Sequence, residues 1–355
     1  MGAKHPLCGA TLPALAGVVR RAERVPAEAW PWLGYYALLA TLRAPVTAAE
    51  RALLALRRPE VPTPLFILGH WRSGTTHLVN LLAATGRFAV PTPVDVGLPA
   101  ERLLLGRPLE PLLARLVPEG RWIDAVGVDR AAPQEDEVAL ANLGAPSFFE
   151  PYYLPHGFRR RWRDAVFLDE AGTRRWLDRA ARYYARLALE HPGRPLLIKN
   201  PVYTARLAAL AGRFPDARFV HCVRDPFAVY ASSLRFHEKL GTALGLTRER
   251  PDELEATVLE TYAEMMTRFE RDRAELAPER VVDVRYADLR DRPLAVLAAL
   301  YEAVGLDDFA RDRPALEAHL DRVAGYRAGS YDLDAATRAR IAQAWGPWLE
   351  RWRAA

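Results

Sequence analysis

Four short, largely apolar runs stand out along the chain, at residues 65–69, 195–198, 217–223 and 281–284. Between and after them, apolar residues recur at helical spacing, and the segments with this pattern are about 74–86, 173–191, 203–213, 226–238, 252–276, 293–304 and 334–352. Short apolar runs separated by helical patterns are typical of parallel strands buried between helices. The pattern therefore predicts a three-layer α/β/α fold with a central parallel sheet.

The segments on either side of the first apolar run differ in composition. Residues 1–60 show helical patterns and no strand, which predicts an N-terminal helical extension over 1–60 and a main domain over 61–355. Within that domain, residues 91–170 are rich in proline, glycine and aromatic residues. We expect this insertion to cover one edge of the sheet and to shape a substrate pocket.

Net charge and cysteine content exclude several classes of protein. The 355 residues have a formal net charge of +5, a mild excess that favours a small anionic ligand over a nucleic acid. Two cysteines are too few for a disulfide framework or a cysteine zinc site. This cysteine content predicts a reducing, cytoplasmic location.

No apolar run approaches the roughly 18–20 residues that a membrane span requires. Residues 30–57 nevertheless combine aromatic residues with apolar helix formers and arginines. This composition is compatible with peripheral contact at the inner face of a membrane. The competing interpretation is that the same aromatics, among them Trp30 and Tyr35, pack on the main domain.

A glycine-rich loop directly follows the first apolar run and opens a helix. Its residues are Gly69, His70, Trp71, Arg72, Ser73, Gly74, Thr75 and Thr76. The glycines permit a tight turn, and the amides at the start of the next helix would point at an anion. The spacing matches a nucleoside triphosphate loop except at Thr75, where a kinase or NTPase has the lysine that reaches the phosphates. The cation of this loop is Arg72 instead.

A second anion-binding pattern follows the third apolar run. Arg224 stands at the predicted carboxyl end of that strand, Pro226 begins the next helix, and Ser232 lies two turns further on. This spacing allows the guanidinium and the hydroxyl to converge on one phosphate. Because an arginine–aspartate pair at a helix start is also common as a cap, the pattern is informative mainly together with the first loop.

In these two motifs the chain resembles the sulfotransferases that use 3′-phosphoadenosine-5′-phosphosulfate (PAPS). Residues 72–76 are similar to the loop with which that family binds the 5′-phosphosulfate, and Arg224 with Ser232 is similar to its 3′-phosphate site. The similarity runs from about residue 64 to 306. It is greatest to the broad bacterial group, whose motifs are also similar to those of tyrosylprotein sulfotransferases. The resemblance implies a sulfotransferase fold similar to that of the P-loop NTPases.

The resemblance also implies roles for individual residues. The enzyme would move a sulfuryl group from PAPS to a hydroxyl or amine without a metal ion, and Arg72 and Lys199 would stabilise the charge that develops. Lys199 stands at the carboxyl end of a predicted strand, where open α/β sheets bind ligands. The residues expected to bind the donor are Trp71, Arg72, Ser73, Gly74, Thr75, Thr76, Arg224, Ser232, Tyr286 and Arg327.

The group that removes the acceptor's proton is expected among carboxylates at the start of a predicted helix. Glu135 is the first candidate and Asp136 the second, with Glu137 expected to face solvent. A carboxylate in a dry pocket has a raised pKa and can accept such a proton, although acidic residues also favour the first turn of a helix for electrostatic reasons alone. A branch of the family uses a histidine instead. The competing histidines are His70, His77 and His156.

Two other functions fit the same fold. A nucleotide kinase or NTPase with a degenerate loop would have no use for Arg224 and Ser232, and a catalytically silent nucleotide-binding protein would not need Arg72 and Lys199. The aromatic-rich segment 148–153 is typical of an apolar pocket wall and favours a phenol, a lipid or another hydrophobic acceptor. We therefore expect a small-molecule or lipid acceptor and no nucleic-acid partner.

Overall fold

The structure, a computed structural model, describes residues 5–57, 59–113, 132–251, 253–325 and 332–352. The chain forms two compact units. The first comprises Met1–Pro62, Val90–Gly193 and Phe236–Leu254, and the second comprises Thr63–Ala89, Arg194–Arg235 and Glu255–Ala355. The predicted extension and the predicted insertion therefore both belong to the first unit, while the division of the chain at residue 60 stays a prediction.

A four-stranded parallel sheet lies in the second unit. Its strands are β1 (Pro64–Leu68), β2 (Leu196–Lys199), β3 (Arg218–Val223) and β4 (Val281–Arg285), in the order β2-β1-β3-β4. The pairing places Ile67 of β1 opposite Lys199 and opposite Val220. All four strands begin and end within one residue of the predicted bounds, and the predicted central parallel sheet is confirmed.

Helices connect and flank these strands. In chain order they are α1 (Leu12–Arg21), α2 (Trp30–Arg57), α3 (Thr75–Ala84), α4 (Pro93–Gly97), α5 (Glu110–Leu113), α6 (Glu137–Asn142), α7 (Glu150–Tyr153), α8 (Phe158–Val166), α9 (Glu170–Glu190), α10 (Leu207–Arg213), α11 (Pro226–Leu244), α12 (Leu254–Ala274), α13 (Tyr286–Asp291), α14 (Pro293–Val304), α15 (Phe309–Val323) and α16 (Ala335–Trp352). Within the second unit, α3 packs on β1 and β2, and α14 packs on β4. Each of the seven predicted helical segments corresponds to a helix of the structure.

The strands β1, β2 and β3 are largely buried because they carry apolar residues on both faces. Every residue of β1 and β2 is buried, and Phe66 of β1 stacks on Phe219 of β3 with 5.4 Å between the ring centroids. A strand covered on both faces shows an unbroken apolar run instead of an alternating one. Among the described helices, none combines the length and the apolar composition that crossing a bilayer would need.

Candidate active site

The loop between β1 and α3 depends on two glycines in the left-handed region of backbone space. Gly69 has a φ of 135° and Gly74 a φ of 102°. A Cβ on Gly69 would lie 2.5 Å from Ser73 Oγ, and one on Gly74 would lie 2.4 Å from a ring carbon of Tyr286. Both positions therefore exclude a side chain on conformational and on steric grounds.

The loop ends where α3 begins, so its last amides lie at a helix N-terminus. Amides of a first helical turn have no intrahelical acceptor and lie at the positive end of the helix dipole. Ser73 precedes this turn, and its buried Oγ has no hydrogen-bond partner among the described residues. A buried hydroxyl beside several amide donors is a suitable environment for an anionic group.

The structure brings the two predicted anion-binding motifs together. Arg72 donates a hydrogen bond from Nε to Ser232 Oγ over 2.8 Å, and Arg224 donates one from Nη1 to the backbone oxygen of Arg72 over 3.0 Å. Arg72 has a φ of 72°, which is unusual for a residue with a side chain. Arg72, Arg224 and Ser232 thus form one connected group at the carboxyl ends of β1 and β3.

An aromatic ring completes this group. The guanidinium of Arg224 lies 4.7 Å from the centroid of the Tyr286 ring, within the range of a cation–π contact. The same ring closely approaches Gly74. Tyr286 follows β4 and therefore reaches the loop from the carboxyl edge of the sheet. Trp71, in contrast, is buried, and its ring packs edge-on against His70.

Lys199 approaches the loop from the neighbouring strand. It is the last residue of β2, is almost fully buried, and has Nζ 3.4 Å from Thr76 Oγ1. A further polar contact is not predicted from the sequence motifs. Thr204, in the connection after β2, accepts a hydrogen bond from the amide of Gly69 over 2.8 Å. The available signal was a hydroxyl residue shortly after a strand predicted to lie beside β1.

The candidate bases among the carboxylates belong to the first unit. Asp136 is fully buried and accepts a hydrogen bond from the Tyr184 hydroxyl over 2.7 Å, whereas Glu135 is half-buried. The expectation that Glu137 faces solvent is wrong. Its side chain is buried and accepts a hydrogen bond from the amide of Phe148, which makes it part of the packing of α6.

The three competing histidines differ in environment. His70 is buried beside the Trp71 carbonyl and the Tyr262 ring, and burial lowers its pKa to about 4. Burial also lowers the pKa of half-buried His77, while His156 is exposed, with Nε2 3.6 Å from Glu23. A histidine with a pKa near 4 is neutral at pH 7 and holds an added proton poorly, so His70 is a weak base.

Two further site predictions concern Arg327 and the expected absence of a metal ion. Arg327 lies outside the described residues. Among the residues that are described, no group of three or more histidine, cysteine, aspartate or glutamate side chains could hold a metal ion.

The aromatic segment at 148–153 contributes buried side chains to the first unit, where Tyr152 is hydrogen-bonded to His237 and packs edge-on against Trp162.

These features define an α/β protein with a candidate anion-binding site at the carboxyl edge of a parallel sheet. Residues 64–311, most of the chain, match the sequence model of the sulfotransferase family. The chain therefore belongs to the sulfotransferase family, which confirms the family predicted from the motifs.

Individual relatives agree with this assignment. Over 344 residues the chain is 29% identical to omega-hydroxy-beta-dihydromenaquinone-9 sulfotransferase Stf3 of Mycobacterium bovis and of Mycobacterium tuberculosis, an alignment that covers 94% of this chain and 87% of each relative. Sulfotransferase STF9 from Mycobacterium avium has a similar structure, with a TM-score of 0.69, 21% identity and coverage of 86% of this chain and 81% of that one. Sulfotransferase STF1 from M. tuberculosis gives a TM-score of 0.64, 18% identity and coverages of 94% and 91%. The two structures support the fold.

Proposed function

We propose that this protein transfers the sulfuryl group of PAPS to a hydroxyl or amine of an apolar small molecule or lipid, without a metal ion. The observation that supports this most is the connection between the two anion-binding motifs. Arg224 bonds to the backbone of Arg72, and Arg72 bonds to Ser232. A donor with phosphates on both the 3′ and the 5′ oxygen of its ribose needs two such cationic groups on one edge of the sheet.

The residues present fit this donor on chemical grounds. The buried Ser73 hydroxyl and the amides of the first turn of α3 would receive the phosphosulfate end. Arg224 and Ser232 would receive the 3′-phosphate, and Tyr286, which lies against the Arg224 guanidinium, would position that cation. Thr75 stands where a kinase needs its lysine, so the loop lacks the side chain that a triphosphate requires.

In the donor, the sulfuryl group is bonded to a phosphate, which is the leaving group of the transfer. In this proposal, Arg72 stabilises the negative charge on the departing oxygen, and Lys199 adds a second positive charge near the sulfuryl oxygens. Both side chains are held before reaction, Arg72 by Ser232 and Lys199 beside Thr76. Charged groups that are fixed in advance stabilise a transition state without further reorganisation.

A carboxylate would accept the proton of the acceptor. We propose Glu135 for this role, because the carboxylate of Asp136 is fully buried and bound to Tyr184. Asp136 remains the second candidate. Proton transfer to a positioned base typically contributes about 10²–10⁴-fold to a rate.

The proposed class of acceptor is supported by the name of one relative. The relative Stf3 is named for a hydroxylated dihydromenaquinone, and this chain aligns with it over 94% of its length. We propose a cytoplasmic protein with peripheral contact at the inner face of the membrane through residues 30–57, where such an acceptor would dissolve.

Calorimetric titration with adenosine 3′,5′-bisphosphate in the presence of EDTA tests the donor. We expect binding without added metal, and transfer of radiolabelled sulfuryl from PAPS to a hydrophobic alcohol or phenol. Binding of ATP with Mg²⁺ in place of the bisphosphate would contradict the proposal. Bisphosphate binding without transfer to any extracted lipid or phenol would favour a catalytically silent protein.

A further inference from the structure

The exposed large hydrophobic side chains of the described residues all lie in the first unit. Most of them belong to one helix, α2. They are Trp30, Tyr35, Leu38, Leu42 and Leu56, and Leu42 and Leu56 are 68% and 84% exposed. Exposed apolar groups that cluster in this way mark an interaction surface, whereas single ones need no explanation.

Eight of the exposed residues of α2 form a continuous row. Positions separated alternately by four and three residues lie on one face of a helix. The exposed residues at this spacing are Pro31, Tyr35, Leu38, Leu42, Pro45, Ala49, Ala52 and Leu56. The row contains no charged residue and is about 38 Å long at 1.5 Å per residue. We call it the α2 row.

A second group of exposed leucines is attached to the same helix. Leu104, Leu109 and Leu112 are all exposed, on the segment that follows the buried residue Glu101. The backbone amides of Leu103 and Leu104 donate to Oε2 of Glu50, over 3.0 Å each. The segment is therefore fixed to α2 by a carboxylate of that helix.

Buried polar contacts hold the opposite side of α2 in place. Glu50 is fully buried and lies 2.8 Å from the guanidinium of Arg186 on α9. About two turns earlier, Arg43 donates to the carbonyl of Ala10 over 2.9 Å. Breaking either contact would leave a buried charge or polar group without a partner, which is costly. The outward orientation of the α2 row is thus fixed by the fold.

The exposed charged residues of α2 and of the segment at 102–112 are arginines. Within α2, whose residues are all described, the exposed charged residues are Arg51 and Arg57, and Arg107 is exposed between the leucines of the second segment. The nearby carboxylate of Glu110 is engaged by Arg102 over 3.1 Å. An uncharged helical face with a terminal tryptophan and flanking arginines is typical of helices that lie in the interface of an anionic membrane.

We propose that the α2 row, together with Trp30 at the start of the same helix, docks on an anionic lipid bilayer. A second copy of the chain is a poorer partner for the helix. Two rows packed in parallel would bring Arg51 and Arg57 of both copies together. Two rows packed antiparallel would place these arginines against a partner helix that offers no exposed carboxylate to pair with them. The inference deepens the proposed function, because it gives an apolar acceptor a source in the bilayer, but the surface can be tested separately.

Cosedimentation with vesicles tests the surface. We expect the full-length protein to bind phosphatidylcholine vesicles that contain phosphatidylglycerol, and to bind them less as salt rises. L38E/L42E places two charges in the α2 row and should lower the partition coefficient at least about tenfold. A44E/A55E adds the same charge at exposed positions of α2 outside the row, and binding should stay within about threefold of the wild type.

Several outcomes would overturn the proposal. They are absence of wild-type binding, an equal loss in both double variants, and a lipid-free dimer that L38E/L42E converts to a monomer, which would make the row an interface between copies. Quenching of tryptophan fluorescence by brominated phosphatidylcholine gives a second measurement, and W30F should remove most of it. Both glutamate variants should bind adenosine 3′,5′-bisphosphate like the wild type. Failure of the wild type to bind the bisphosphate would overturn the proposed function and leave the surface standing.

Discussion

Arg224 donates a hydrogen bond to the backbone carbonyl of Arg72, with 3.0 Å between Nη1 and the oxygen. The side chain of the second motif therefore supports the backbone of the first at a residue with a positive φ. The two motifs are separated by about 150 residues of sequence, and this contact makes them one structural group.

Replacing Arg224 should weaken binding of the donor. R224A removes a charge-assisted hydrogen bond, which is worth about 1.5–3 kcal/mol, so the affinity for adenosine 3′,5′-bisphosphate should fall at least tenfold. Calorimetry measures this loss. The matched control is R218A at the amino end of the same strand, where Arg218 binds the carbonyl of Glu279. Equal affinities of R224A and R218A would remove Arg224 from the donor site.

Arg72 separates a catalytic effect from a conformational one. R72A and R72G should both lower the single-turnover rate of sulfuryl transfer by about 10²–10³, because each removes the cation at the leaving oxygen. R72G should unfold at a higher temperature than R72A, since a left-handed backbone costs a residue with a Cβ about 1–2 kcal/mol. Calorimetric melting and rapid-quench kinetics on the same samples check both effects. Identical melting of the two variants would show that the positive φ stores no strain.

The two candidate carboxylates should respond differently to neutralisation. E135Q should lower the single-turnover rate about 10²-fold or more with unchanged melting, as expected for a base. D136N should lower the melting temperature and change the rate only a few-fold. The substitution replaces a buried carboxylate, which accepts a hydrogen bond from the Tyr184 hydroxyl, with a neutral amide. Y184F is the matched control and should resemble D136N. A slow but fully stable D136N would make Asp136 the base.

The stability of the first unit should depend on the ionisation of Glu190. Burial and the neighbouring Asp95 raise the pKa of Glu190 to about 7, against the opposing effects of Arg102 and Arg186. The folded state therefore binds a proton that the unfolded state has lost between about pH 4.5 and 7. The contribution of Glu190 to stability falls as pH rises through this window, and levels off above it.

Urea unfolding of the wild type and E190Q at several pH values measures this contribution. The difference between the two stabilities should change by up to about 1.4 kcal/mol per pH unit between pH 5 and 7, and little above pH 8. E275Q, at an exposed position directly after α12 in the second unit, is the control and should follow the wild type. If the free energies of unfolding of the wild type and E190Q changed in parallel with pH, the result would contradict the raised pKa of Glu190.

Most of the sheet could be predicted from the sequence because β1, β2 and β3 are largely buried on both faces. Phe66 and its neighbours in β1 form an unbroken apolar run, and a glycine marks the end of that run. The anion-binding motifs were also visible, since tight turns and helix starts restrict residue choice locally. The apolar runs, the turn residues and the helix-start residues are local in sequence, so they can be recognised without knowledge of the partner strands.

Contacts between distant segments could not be predicted in the same way. Glu137 is predicted to face solvent while Glu135 or Asp136 faces the donor. Its carboxylate is instead buried and accepts a hydrogen bond from the amide of Phe148, 11 residues further along the chain. The support of Gly69 by Thr204 depends on which connections lie side by side after folding. The choice between Glu135 and Asp136 likewise depends on Tyr184, which is 48 residues from Asp136.

The burial of Lys199 has a practical consequence for chemical footprinting. The chain has three lysines, and of these Lys199 is buried while Lys239 is exposed on α11. An amine-acylating reagent should therefore modify Lys239 rapidly and Lys199 slowly. The acylation rate of Lys199, followed by mass spectrometry, would report how often solvent and reagent reach the end of β2.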